Sequence, residues 1–144
     1  YVYVSEEETG IWKYGANPED GDKRFCVSEC GNGPIEADVE GLTLYYGEKG
    51  EGYLIASSQG NSTFAVFDRS GNNNYICSFR IVSNGAIEGT DTTDGITVCG
   101  KSLGKDFPEG LFIAHDDQRR NKRGSNFKFV PWGDILRGVQ KHQK

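Results

Sequence analysis

Short runs of alternating apolar and polar residues, separated by Gly, Asn and Asp, recur along this chain with no long helical pattern before its tail. YVYVSEEE (1–8), GYLIASSQ (52–59) and GLFIAHDD (110–117) share an aromatic or aliphatic pair, a β-branched residue, a small or hydroxyl-bearing residue and then a polar cluster. Matching Val4, Ile55 and Ile113 gives spacings of 51 and 58 residues, and a second strand-like run follows each: TGIWKY, STFAVFD and SNFKFV. A related start, EGLTLYY at 40–46, returns as DGITVCG at 94–100 after 54 residues. Period-2 runs repeating about every fifty residues predict the four-stranded blades of a β-propeller. The tract from 40 to about 82 holds four such runs in succession, LTLYY, YLIAS, FAVFD and YICSFRIV, one complete blade. The tail WGDILRGVQ (132–140) predicts a short helix with Leu136 and Val139 on one side.

Length changes that picture. Propellers close with about four to eight blades, and 144 residues hold material for fewer than three. The expectation is an all-β, partial propeller of about half a six-bladed ring, a single domain over 1–144 that does not close alone and belongs to a longer chain. The start, YVYVSEEE, has no charged n-region or signal-like h-region, and no window approaches the apolar length of a membrane span.

Charge narrows the partners. The net charge is −5, with 12 Asp/Glu against 4 Lys/Arg in residues 1–51 and 9 against 12 beyond. An acidic excess argues against a nucleic-acid footprint. The basic run QRRNKRG (118–124) is the exception; Gln, Asn and Gly between its charges read as a solvated turn, with phosphate contact as the alternative. Cys26, Cys30, Cys77 and Cys99 lack the paired C-x-x-C spacing of a zinc site. Their even number and the sequon Asn61-Ser62-Thr63 are compatible with a secreted, disulfide-permitting compartment, and Cys77 with Cys99 plus Cys26 with Cys30 is one of three connectivities.

The carboxylates carry the chemistry. Asp38 and Glu40 stand two residues apart at the entrance of a strand, so both project to one face. Like charges held that close call for a cation, and calcium takes six to eight oxygen ligands. A lone Glu6-Glu7-Glu8 run is usually a solvated face and DTTDG alone an Asx-type turn. Recurrence at equivalent strand ends changes that reading, because random surface acids have no reason to fall in register. The repeat offers Glu6, Glu7 and Glu8, then Asp38 and Glu40, then Gln59.

SEEE with IWKY, ADVEGLTLYY, GYLIASSQGNSTFAVFDR, GTDTTDGI, PEGLFIAHDD and NFKFVPW resemble, in the same order and over essentially the whole chain, the second half of the β-propeller phytases. DVEGLT and YLIASSQGNS are specific to that family. The resemblance implies the C-terminal half of a secreted, calcium-dependent hydrolase of myo-inositol hexakisphosphate (phytate), with several calcium ions as cofactor. It implies that Glu7, Asp38, Glu40 and Gln59 are calcium ligands lining the central channel and that Asp94 lies near the active site. Glu88 falls where the family usually has Asp, one methylene shorter. Asp116 is an additional ligand by its place in the repeat, whereas His115 beside it is expected to be packed or hydrogen-bonded.

The implied mechanism is attack of a metal-activated water on phosphorus, with Glu7 and Glu40 as the catalytic carboxylates and no Ser, Cys or His nucleophile. The family's phosphate-holding Lys and Arg come mostly from the absent N-terminal half of the propeller, so these 144 residues alone are expected to be inactive. The alternative is a calcium-stabilised propeller segment that binds a glycan or protein and catalyses nothing.

Overall fold

A computed structural model describes residues 1–117 and 124–143. The basic run, apart from Gly124, lies outside the described residues, and with it the phosphate-contact alternative. Among the described residues, ten strands form three antiparallel sheets. β1 (Val2–Glu6), β2 (Gly10–Tyr14) and β3 (Arg24–Glu29) make the first. β4 (Val39–Tyr46), β5 (Gly52–Ser58), β6 (Thr63–Asp68) and β7 (Tyr75–Phe79) make the second, the four-stranded blade read over 40–82, with Arg80–Val82 leaving the sheet. β8 (Ile96–Cys99), β9 (Leu111–Asp116) and β10 (Asn126–Pro131) make the third, and α1 (Trp132–Lys141) follows.

The all-β, propeller-like expectation holds, but only the middle sheet has four strands. In the repeat register β5 and β9 are second strands, paired behind β4 and β8. β1 corresponds to them, yet its sheet has no counterpart of β4 and its outer edge is open. The third sheet stops at β10 because the chain turns into α1. There Trp132 is fully buried, its ring 4.7 Å from that of Tyr45.

Strand alternation places two cores. Tyr53 and Ile55 on β5 face Phe112, Ala114, Trp132 and Val139 from the third sheet and α1. Their neighbours Leu54 and Ala56 face Ile11 and Ile35 on the other side of the middle sheet. A sheet buried on both faces needs the continuous apolar runs of YLIA and FAVF. In α1 the buried positions are Trp132, Gly133, Ile135 and Val139, with Leu136 at their margin. Trp132→Ala is expected to lower stability by about 3–5 kcal/mol, as for other large buried aromatics, measured by chemical denaturation. A loss no larger than for a surface substitution would remove α1 from the core.

The outward faces of the end sheets are apolar. Val2 and Val4 are exposed on the first. On the third, NFKFV turns Lys128 inward and leaves Phe127 and Phe129 63% and 59% exposed.

The sheets meet through β4, which lies between β1 and β8. Ser5 Oγ donates to the Glu40 carbonyl (2.8 Å), Val98 N donates to Thr43 Oγ1 (3.2 Å) and Gly41 N donates to the Asp94 carbonyl (2.7 Å). A Cβ on Gly41 would collide with that carbonyl oxygen and lie 2.8 Å from Ile96 N, so only glycine permits this approach.

Candidate active site

Carboxylates from all three sheets gather where β1 turns into β2 and where β4 and β8 begin. Glu7 sits in the β1–β2 turn, closed by Thr9 N donating to the Glu6 carbonyl (2.7 Å), and its own carbonyl accepts from Val39 N (2.9 Å). That bond docks the turn against the first residue of β4. Asp38 and Glu40 flank Val39, and the Asp38 carbonyl accepts from Gln59 N (2.8 Å). A Cβ on Gly60 would collide with the Ala37 carbonyl, so the Gln59–Asn61 turn can lean against the segment that carries Asp38. Asp94, just before β8, is tied to Gly41.

Electrostatics report the same proximity. The Glu40 carboxyl is pushed above the usual carboxylate range, first by partial burial and then by the negative charges of Glu7, Asp94 and Asp38. Among the described residues, no basic side chain offsets them. Gln59 Nε2 donates to Asp94 Oδ1 (2.6 Å), and His115 Nδ1 lies 3.2 Å from Asp94 Oδ2.

The donors are oxygens, the set a hard cation such as calcium takes. Among the described residues, no three His, Cys, Asp or Glu side chains yet close on one metal-sized point. The arrangement is therefore a loose ring of like charge, matched to a cation by chemistry.

The sequence profile of the phytase family matches residues 1–143. The chain belongs to the phytase family. It is 42% identical over 137 residues to the 3-phytase of Bacillus subtilis strain 168, an alignment covering 93% of this chain and 36% of that protein. It thus spans about a third of the length of the curated relative it matches.

Within this phytase-family segment the seven expected metal ligands do not all lie together. Glu7, Asp38 and Asp94 each act on Glu40, and Gln59 joins them through Asp94. Glu88 is not among the charges acting on Glu40. It is exposed and lines a separate polar cavity with Ser62, Arg80 and Asp91, where Ser62 Oγ donates to Asp91 Oδ1 (2.6 Å). Asp116 is 1% exposed and committed inside the third sheet. Its Oδ2 is 2.9 Å from Lys128 Nζ, itself 7% exposed, and its Oδ1 accepts from Asp91 N (3.0 Å).

Sequence reading missed this buried ion pair, because a lysine between two phenylalanines gives no sign of turning inward. It also missed the His115–Asp94 contact, which joins residues 21 positions apart in sequence and has no local pattern. The four cysteines are free thiols, so none of the three pairings is formed.

Proposed function

We propose that the protein hydrolyses phosphomonoesters of phytate with calcium as cofactor, and that this chain supplies one part of a larger propeller. The observation that carries the reading is the ring of Glu7, Asp38, Glu40 and Asp94, drawn from the β1–β2 turn and the starts of β4 and β8, in a phytase-family chain. Bound calcium would supply positive charge to phosphate oxygens and acidify water, which lets an acidic protein receive an acidic substrate. Glu7, Asp38 and Glu40 would hold the cation, with Gln59 adding a neutral oxygen. Glu7 and Glu40 would be the carboxylates holding metal around the attacking water, with no Ser, Cys or His nucleophile required. Lys and Arg for the remaining substrate phosphates come from the rest of the propeller. Asp116 is already paired with Lys128 and Glu88 faces a separate cavity, so neither is assigned to this cation. An extracellular location rests on the family resemblance and the sequon at Asn61, since the free thiols lend it no support.

Calcium is expected to stabilise the complete polypeptide. A ligand that binds only the folded state adds roughly 2.7 kcal/mol at a hundredfold excess over Kd, so EGTA should lower Tm and added calcium restore it. Phosphate release from phytate should fall and return in parallel. A melting curve unchanged after verified calcium removal would argue against a multi-carboxylate site. Calcium-dependent stability without phosphate release would favour the non-catalytic binding module.

A further inference from the structure

We propose that His115 is a positioning residue, holding Asp94 so that Asp94 in turn orients Gln59 with its carbonyl oxygen free to meet a cation. This rests on the calcium site proposed above but concerns residues whose contacts can be tested without metal.

Asp94 is the middle of a three-residue chain. One oxygen accepts from Gln59 Nε2 at 2.6 Å, and the other lies 3.2 Å from His115 Nδ1, close enough to pair but not aligned as a hydrogen bond. An ionised carboxylate only accepts hydrogen bonds. The Gln59 amide must therefore turn its nitrogen to Asp94, which leaves Oε1 directed elsewhere as a neutral, hard ligand of the kind calcium accepts. His115 Nδ1 is buried beside this carboxylate, and a bare nitrogen lone pair facing it would be repelled, so Nδ1 carries the proton.

His115 is the fixed end of this chain. Its backbone N donates to the Gly95 carbonyl (2.9 Å), tying β9 to the residue after Asp94. Its ring is mostly buried and meets the Phe127 ring edge-on at 5.7 Å, while the Asp94 side chain is half exposed. A free Asp94 would sample several rotamers, and Gln59 would lose its partner whenever it did. Outer groups of this kind orient ligating side chains, and their loss costs about 10–100-fold in metal affinity.

The test uses the complete polypeptide. In metal-free protein, 15N NMR of the imidazole should show the Nδ1–H form for His115, and Asp94→Asn should shift that signal. Calcium titration should show roughly tenfold weaker binding for His115→Leu, with His115→Gln recovering most of the loss because it keeps a donor. A double-mutant cycle of His115→Leu with Gln59→Leu should be strongly non-additive in calcium affinity, since both act on one ligand. An Nε2–H tautomer insensitive to Asp94→Asn, or additive effects of the two substitutions, would overturn the proposal. Wild-type protein that binds no calcium while the NMR result holds would instead sink the calcium site and leave the contact intact. If His115→Leu does not fold, the tautomer measurement on Asp94→Asn still decides.

Discussion

Glu40→Gln is expected to weaken calcium binding by about a hundredfold, the upper end of the range for disturbing a metal ligand's support, and to reduce phytate turnover in step. The substitution keeps size and hydrogen-bonding capacity, and β4 is held through Glu40 by its backbone carbonyl, which accepts from Ser5. Strand packing should persist. The metal-free protein should respond in the opposite direction. The folded-state pKa of Glu40 lies above its unfolded value, raised by burial and then by Glu7, Asp94 and Asp38. Its favourable contribution is therefore present below the unfolded pKa and is lost as pH rises through the folded one. At neutral pH the ionised group opposes folding, so without calcium the variant should melt no lower than wild type, and with saturating calcium it should melt lower. Asp68→Asn serves as control, since Asp68 lies at the far end of β6 and is held through its backbone by Asn73 Nδ2 at 2.7 Å. Equal losses of calcium affinity in both variants would strip Glu40 of any special role.

Residues 1–144 expressed alone are expected to release little or no phosphate from phytate at any calcium concentration. The ring described here has four carboxylates that do not close on one metal-sized point, and the cations that would hold the substrate are proposed to lie outside this chain. The isolated segment should also associate. Val2 and Val4 on one end sheet and Phe127 and Phe129 on the other expose apolar faces, and β1 leaves an unpaired edge. Light scattering should find oligomers or poor solubility, and supplying the rest of the propeller should restore both a monomer and activity. A soluble, monomeric, calcium-dependent phytase of 144 residues would require a smaller self-contained site.

The fold was largely legible because strand alternation and a fifty-residue period survive in sequence. YLIAS, FAVFD and LTLYY read as strands on pattern alone, and the repeat register correctly set β5 and β9 as equivalents. Strand number per sheet was not legible, since it depends on what pairs with β1 and on Trp132 finding Tyr45 rather than another strand. In the site, Asp38 and Glu40 could be placed together because their spacing is local. Asp116 could not be placed, since its role depends on Lys128 reaching it across the β9–β10 pair, in a strand where a lysine between two phenylalanines would ordinarily point to solvent. Glu88 sits in an irregular loop whose course has no periodicity to read.

The contact between Gly41 and the Asp94 carbonyl has a consequence for ion choice at the proposed calcium site. The separation of the Glu40 and Asp94 backbones is fixed by two main chains touching where a methyl group is absent, not by the length of either acidic side chain. Calcium sits 2.3–2.6 Å from its oxygens and magnesium about 2.0–2.1 Å, so the gauge that distinguishes them would be built into the joint between two sheets. Discrimination by ionic radius would then belong to the scaffold, and substitutions at a residue with no side chain could retune it while every ligand stayed the same.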